Sequence, residues 1–543
     1  MKQLMKTILT SILTLALLFS FISCGAMPAP QGPNADPSPA PGGDNGYNDL
    51  FDDLGGPIGS IPDGAVGDEF TPSEPTPGNP DQGEENLPST QENPFVSVDE
   101  TPTSTFSADV DTASFSLFRQ MLKSGWSLEE LQCAGVAFRS EEFINYFRYV
   151  ANAPEHGAIF GKTVSFDACP WNEENLLMYL TLQAEVPTER LANNLVFLID
   201  VSGSMASSNK LPLLKESFGT LLDNLAPDDL ISIVTYSGKE QVVLTACPVS
   251  DKQTIMNAIN GLRASGSTNG EAGLEKAYQI AQQHYIEGGN NRIIMASDGD
   301  LNVGISSIED LKAYISDKKN EGVFLSVLGF GMGNYQDEKM ETIANNGNGA
   351  YYYIDSLSEA EKVFSRELTA TLYTVGKDVK LQLTFNADYV DAWRLVGYEN
   401  RVLNNEDFED DTKDAGEVGA GHQVTVCYEL KLREGADPAA DAELASLSVR
   451  YKAPDEDASR LNTYTLAAGA QEHTLADREF ISGLVMLAMY LNNSSYLPKE
   501  GAIDLATICA CLERGASHPD ELQLAYRMEL LELLAQFGAD TNK

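Results

Sequence analysis

Between residue 194 and about residue 376, short apolar runs alternate with segments in which apolar residues recur every three to four positions. The apolar runs predict strands, and the periodic segments predict amphipathic helices. Regular alternation of the two is typical of a parallel sheet with helices on both faces. We therefore predict a doubly wound, mostly parallel, Rossmann-like α/β domain over residues 191–376, with residues 241–245 as an antiparallel edge strand.

The segments that flank this block have a different pattern. Residues 96–190 predict helices over 111–124 and 129–149, with Asp111 capping the first, and then strands over 162–168 and 176–185. Residues 377–470 return to a strand pattern, and residues 471–543 are helical, with the apolar run 480–491 as a buried helix. We expect the strands on both sides to pair, so that the α/β domain is inserted in, or flanked by, a β-rich domain.

The N-terminus predicts export and a tether. Residues 1–23 have two lysines and then an apolar run, as in a secretory signal peptide. Residues 21–24 resemble a bacterial lipobox, which implies lipidation of Cys24; the alternative is an ordinary signal peptide. Residues 24–95 are rich in Pro, Gly and acidic residues and have no sustained apolar period, which predicts a disordered tether. The predicted location is the cell envelope, on the exported side of a bacterial membrane, held by the lipid anchor alone.

The net charge of the chain limits the kinds of molecule that it can bind. The chain has 36 Lys and Arg against 80 Asp and Glu, a formal net charge of −44. Binding to nucleic acid or to an anionic membrane surface requires basic groups, so we exclude nucleic acid as a partner. Six cysteines remain besides Cys24, and their spacing leaves any disulfide pairing open.

Oxygen-bearing side chains follow several of the predicted strands. Asp200, Ser202 and Ser204 follow the first strand of the α/β block, Thr268 lies in a loop before a helix, and Asp298 follows another strand. Ligands of open α/β sheets bind at the carboxyl ends of strands, near the point where the strand order reverses. We therefore expect these five residues to converge on one hard cation, Mg²⁺ or alternatively Mn²⁺ or Ca²⁺.

These five residues resemble the metal-ion-dependent adhesion site of von Willebrand factor type A (VWA) domains, and the chain resembles a bacterial lipoprotein that carries one. The resemblance implies that the hydroxyls of Ser202, Ser204 and Thr268 bind the ion, with Asp200 and Asp298 acting directly or through water. It extends to segments similar to the flanking regions of one VWA lipoprotein subfamily, namely residues 104–114, 142–147, 169–172, 396–401 and 414–422.

The resemblance implies a binding protein rather than an enzyme. An ion held mainly by hydroxyls and water keeps an open position that a Glu or Asp of a protein partner can fill. The chain has no Gly-x-Ser-x-Gly, His-Glu-x-x-His or phosphate-binding Gly-x-x-x-x-Gly-Lys motif, which argues against catalysis. The alternative function is a structural or assembly factor of an envelope complex. By analogy with adhesion relatives, the predicted helix 358–372 slides to couple ligand binding to the β-rich domain.

Overall fold

A computed structural model of the chain describes residues 91–108, 111–155, 157–187, 189–267, 270–299, 308–319, 321–331, 337–413, 415–454, 456, 458–498 and 503–537. The predicted signal peptide, Cys24 and almost all of the predicted tether lie outside these residues, as does Thr268. No helix in the described part of the chain is long and apolar enough to cross a membrane.

The region before the α/β block contains strands and short helices. In chain order they are β1 (Val96–Ser97), β2 (Thr103–Ser107), α1 (Ala113–Lys123), α2 (Leu128–Cys133), α3 (Ser140–Asn145), β3 (Phe160–Cys169) and β4 (Asn172–Ala184). The single helix predicted over 129–149 is wrong, because the chain turns at Gly135, whose φ is +70°. A positive φ suits glycine and interrupts a helix.

Asp111 does not cap α1, which corrects the prediction. The helix begins at Ala113, and its cap residue Thr112 makes no side-chain capping bond. The Asp111 carboxylate instead accepts hydrogen bonds from the backbone N–H of Tyr351, at 3.2 Å, and from Arg401, at 3.1 Å. It therefore joins the start of α1 to residues far along the chain.

The central block is the predicted α/β fold. Its elements are β5 (Asn193–Asp200), α4 (Leu211–Asn224), β6 (Leu230–Tyr236), β7 (Gln241–Pro248), α5 (Lys252–Gly261), α6 (Gly270–Gln283), β8 (Asn290–Ser297), α7 (Ile308–Lys319), β9 (Phe324–Phe330), α8 (Asp337–Asn346), β10 (Tyr351–Ile354), α9 (Leu357–Glu361) and α10 (Leu368–Leu372). The sheet order is β10-β9-β8-β5-β6-β7. All neighbours are parallel except β7, which is the predicted antiparallel edge strand.

The predicted helix 358–372 is not continuous. A π-helical turn, Lys362–Arg366, separates α9 from α10. Such turns insert an extra residue into the helical hydrogen-bond pattern.

The region after the block completes a β-sandwich. It comprises β11 (Thr374–Phe385), β12 (Val390–Val396), β13 (Val402–Leu403), β14 (Gly416–Gly419), β15 (Gln423–Leu432), β16 (Glu443–Lys452) and β17 (Ser459–Ala467). One sheet has the order β1-β12-β15-β4-β3, and the other has β13-β2-β11-β16-β17, with β14 also paired to β11. The predicted pairing of strands across the α/β block is confirmed by the β4–β15 register.

Three C-terminal helices cover the outer face of the first sheet. They are α11 (Leu475–Leu491), α12 (Leu505–Arg514) and α13 (Glu521–Phe537). Phe480, Leu484 and Leu487 of α11 are fully buried, which confirms the predicted buried helix. They share one core with α1 and α3, through Phe115 and Phe143. The first sheet is therefore covered on both faces, by the other sheet and by helices.

The cysteines in the described residues are all free thiols. Cys169, Cys247, Cys427 and Cys511 are buried, and burial raises the pKa of the Cys511 thiol to about 12. A raised thiol pKa makes a cysteine less reactive. The structure thus forms its core without a disulfide among these residues.

Arginines of the flanking regions bind acidic side chains of the α/β block. Arg119 on α1 contacts Asp355 and Glu359, at 2.6 Å each, and all three side chains are about 1% exposed. Two further pairs join Arg139 and Arg401 to Glu341, at 3.1 and 2.6 Å, and a third joins Arg148 to Glu367, at 3.0 Å. We call these contacts the arginine clamps.

Two of the clamps favour the charged form of a buried glutamate, at Glu359 and at Glu367. Burial alone pushes the pKa of Glu359 upward, but Lys362 and Arg119 hold it below its ordinary value. Glu359 and Glu367 therefore each depend on an arginine from a flanking region to offset the cost of burying their charge. The α/β block is attached to its flanks through these pairs as well as through apolar packing.

We expect His473 to make the fold sensitive to mild acid. Its ring is within hydrogen-bond distance of Ser165 and Thr181, and burial lowers its pKa to about 4. An unfolded histidine titrates near pH 6.5, so the folded state binds fewer protons between these values, and stability that is complete above pH 6.5 is lost as the pH falls. The expected loss at pH 5 is about 2 kcal/mol.

Urea unfolding at several pH values between 7.5 and 5 measures this loss. The variant His473→Gln should have a flatter pH dependence than the wild type. Identical pH dependence in the two proteins would show that His473 contributes nothing.

Candidate metal centre

The candidate centre lies at the carboxyl edge of the central sheet, between β5 and β8. The chain proceeds from β5 outward to β6 and β7, and then returns to the other side of β5 with β8. The strand order therefore reverses at this pair. Asp200 is the last residue of β5, and Asp298 directly follows β8, so both stand at the switch point where open α/β sheets bind ligands.

The loop after β5 places two hydroxyls beside each other. Ser202 Oγ and Ser204 Oγ are 3.0 Å apart, and Asp200 Oδ1 accepts a hydrogen bond from the backbone N–H of Ser202, at 2.7 Å. Residues Gly203–Ala206 form a 3₁₀ turn, and the buried side chain of Met205 fixes it in the core beneath. This turn aims the Ser204 hydroxyl back toward Ser202.

The loop that leads to Thr268 lies against this turn. The backbone N–H of Gly203 donates to the carbonyl of Gly266, at 3.0 Å, and Ser265 N–H donates to the carbonyl of Val201, at 2.7 Å. A Cβ at residue 203 would lie 3.4 Å from the Gly266 carbonyl oxygen, which is an ordinary van der Waals contact, so the two loops are packed closely at this point. Thr268 itself is outside the described residues, and its place in the centre stays a prediction.

The floor of the centre is buried and acidic. Asp200, Ser202 and Asp298 are all less than 5% exposed, while Ser204 is half-buried and marks the open side. Burial, together with the nearby Asp200 and Asp298 carboxylates, raises the pKa of Tyr236 well above its usual value. The pairing of β5 with β8, which runs to Ile199 and Ala296, brings the two carboxylates to the same edge of neighbouring strands.

The donor set fits a hard divalent cation. Carboxylate and hydroxyl oxygens are ligands that Mg²⁺ accepts, and no soft donor lies among these four residues. Within the described ranges, no group of three or more His, Cys, Asp or Glu side chains could hold a metal ion. Among these four residues, a cation would be offered hydroxyl as well as carboxylate oxygens.

Lys210 is a residue of the centre that was not predicted from the sequence. Its ammonium lies 2.8 Å from Asp298 Oδ2, and the Lys210 side chain is 9% exposed. The available signal was its position, immediately before the apolar face of α4, in the same loop as Ser202 and Ser204. A buried lysine is rare unless it is paired.

The fold and the two matched serines at a strand end define a protein with a von Willebrand factor type A domain. The family model for this domain matches residues 194–366. A second model, described as von Willebrand factor, matches residues 81–179, and a third, described as the C-terminal part of uncharacterized protein YfbK, matches residues 370–539. Domains of this class are mainly interaction modules.

The chain belongs to the family of the Escherichia coli protein YfbK. It is 39% identical to that protein over 430 residues, which cover 75% of this chain and 74% of the E. coli protein. The alignment is therefore longer than the α/β block alone and includes a large part of the flanking regions.

Other similarities cover only part of the related protein or have low sequence identity. The mouse voltage-dependent calcium channel subunit alpha-2/delta-2 is 27% identical over 254 residues, covering 44% of this chain and 21% of the subunit. A solved von Willebrand factor type A structure from Catenulispora acidiphila has a TM-score of 0.38 and 16% identity, covering 72% of this chain and 89% of that chain.

Proposed function

We propose that this protein binds a partner through a divalent cation held at the carboxyl edge of its α/β domain. Asp200, Ser202, Ser204 and Asp298 would hold Mg²⁺, or alternatively Mn²⁺ or Ca²⁺, together with Thr268. The observation that carries the proposal is the pair of serine hydroxyls 3.0 Å apart, beside the Asp200 carboxylate at the switch point of the sheet. Interaction is also the prevailing role of the domain class.

The chemistry of the centre favours an acidic ligand. The bound cation would supply an electrophilic point with an open position. A Glu or Asp carboxylate of a protein partner can fill that position. Asp200 and Asp298 remain buried below the ion, while the half-buried Ser204 stands on the side from which a partner would approach.

The setting of this function is the second part of the proposal. Residues 1–23 would direct export, and lipidated Cys24 would hold the protein at a bacterial membrane on the exported side. Two acyl chains are enough for stable anchoring. The acidic chain, with its net charge of −44, would approach the membrane through this anchor only.

Capture from an envelope extract tests the binding function. The immobilised full chain is incubated with extract in Mg²⁺, washed, and eluted with EDTA. We expect proteins that are retained by the wild type and released by EDTA, and their loss in the variant Ser204→Ala. Ser207→Ala is the matched control, because Ser207 is exposed in the same loop but lies outside the centre.

The same experiment separates the two candidate functions. Release by chelator indicates reversible, metal-dependent binding. Partners that resist EDTA and are retained equally by Ser204→Ala would contradict the proposal and would favour a structural or assembly role in an envelope complex. Turnover of an extract component that disappears with Asp200→Ala would instead indicate an enzyme.

A further inference from the structure

Lys210 is built into the candidate centre by contacts along its whole length. Its stem lies against Gly331, which follows β9 and has a φ of +77°. A Cβ at residue 331 would overlap the Cγ, Cδ and Cε atoms of Lys210. The carbonyl of Gly331 also accepts a hydrogen bond from the Tyr353 hydroxyl, at 2.7 Å, so the glycine is held in place. Because Gly331 has no side chain, there is space for the Lys210 side chain to reach Asp298.

The charge of Lys210 has a clear electrostatic consequence. A buried ammonium needs a partner, because taking an unpaired charge out of water costs several kcal/mol. Lys210 finds it in Asp298 Oδ2, at 2.8 Å. That same carboxylate is one of the residues that would hold the cation. The ammonium therefore neutralises part of the Asp298 charge that would otherwise attract the cation. The Lys210 ammonium and the cation also repel each other at short range.

We propose that Lys210 is a built-in competitor for the metal centre, pairing with Asp298 when no ion is bound and leaving it when a divalent cation binds. This inference rests on the proposed metal-dependent function and concerns how that function is regulated. Lys210 lowers the affinity of the centre for the ion and makes occupancy depend on the concentration of divalent cation. It also keeps the buried carboxylate paired in the ion-free protein.

Titration of Mn²⁺ into the metal-stripped full chain tests the competition. Binding is followed by calorimetry and by the spin-resonance signal of free Mn²⁺, at one pH and one ionic strength. Lys210→Met keeps the length of the stem and removes the charge, so we expect the dissociation constant to fall by about tenfold or more. The matched control is Lys252→Met, which removes the same charge from an exposed position on α5 and should leave the constant unchanged.

A measurement on the unaltered protein covers the case in which Lys210→Met does not fold. Reductive methylation followed by mass spectrometry reports how accessible each lysine is. Saturating Mg²⁺ should increase the labelling of Lys210, because its ammonium leaves Asp298, and should leave Lys252 unchanged. Equal labelling of Lys210 with and without Mg²⁺ would overturn the proposal.

The outcomes of the titration distinguish this inference from the proposed function. If the wild type binds Mn²⁺ and Lys210→Met binds it equally or more weakly, competition is wrong and the metal centre stands. If neither protein binds Mn²⁺, the metal centre itself is wrong, and the competition proposal falls with it. If Lys210→Met binds Mn²⁺ more tightly than the wild type and Lys252→Met does not, the result supports both the metal centre and the competition.

Discussion

Replacing Arg119 with methionine is expected to lower the free energy of unfolding by about 3 to 5 kcal/mol. Arg119 binds Asp355 and Glu359 at 2.6 Å each and donates to the Tyr146 hydroxyl at the same distance. Methionine fills much of the volume but leaves two carboxylates without this cation in a site that water does not reach. Most of the lost stability comes from leaving a buried charge without a partner, and less of it comes from the lost attraction within the pair.

Chemical denaturation measures the Arg119 effect, and Lys123→Met is the matched control. Lys123 lies on the same helix and binds Glu529 at 3.0 Å, but its side chain is 43% exposed. An exposed pair contributes less than about 1 kcal/mol. If Arg119→Met and Lys123→Met lose the same small amount, the clamp at α1 does not stabilise the interface. Combining Arg119→Met with Glu359→Gln should recover part of the loss, because the stranded charge is removed.

Replacing Asp200 with asparagine is expected to weaken divalent-metal binding by at least about a hundredfold, or about 2.7 kcal/mol. Asparagine keeps the oxygen that accepts the Ser202 N–H, at 2.7 Å in the wild type, so the loop after β5 retains its shape. What is lost is the negative charge at the base of the centre. The negative charge of Asp200 attracts a divalent cation whether the carboxylate binds it directly or through water.

Calorimetric titration of Mg²⁺, and then of Mn²⁺ and Ca²⁺, into metal-stripped protein measures this effect. The wild type should bind about one ion per chain. Asp228→Asn is the control, because it removes one exposed carboxylate that precedes β6, at the opposite edge of the sheet. Equal affinity of the wild type and Asp200→Asn would show that Asp200 is no part of a metal site.

The α/β block could be predicted from sequence because its signals are local. Strands β5 and β8 are buried at every position, and each contains a short apolar run, residues 195–199 and 293–296. Such runs between amphipathic helices are typical of buried parallel strands. The antiparallel edge strand β7 could also be predicted from the sequence, since a short turn joins it to β6. Both predictions depend on residues that are near each other in the chain.

Polar pairs between residues far apart in the chain could not be predicted from the sequence. Arg119 and Asp355 are 236 residues apart, and nothing near either residue indicates the other. Asp111 was therefore predicted to cap the helix beside it, although its carboxylate binds Arg401. The four described residues of the candidate centre could be predicted as a group because strand ends give a local rule for convergence. Lys210 follows no such rule, since its path to Asp298 depends on a glycine 121 positions later.

The arginine clamps bear on the predicted sliding of helix 358–372. Glu359 and Glu367, on either side of the π-helical turn, are bound by Arg119 and Arg148. Sliding would separate the buried Arg119–Glu359 pair and the partly exposed Arg148–Glu367 pair. The cost for the buried pair is comparable to that expected for Arg119→Met. Sliding stays a prediction, and it requires that ligand binding supply this energy.

The insertion of the α/β block between β4 and β11 has a consequence for the order of folding. Gln183 and Gln423, which hydrogen-bond across the first sheet, are 240 residues apart in the chain. Closing so long a loop in an unfolded chain costs about 5 kcal/mol of entropy. The folded block removes most of that cost, because the Tyr373 hydroxyl donates to the carbonyl of Leu191 at 3.1 Å and so joins its two ends. The block should therefore fold first and act as the nucleus on which the sandwich closes.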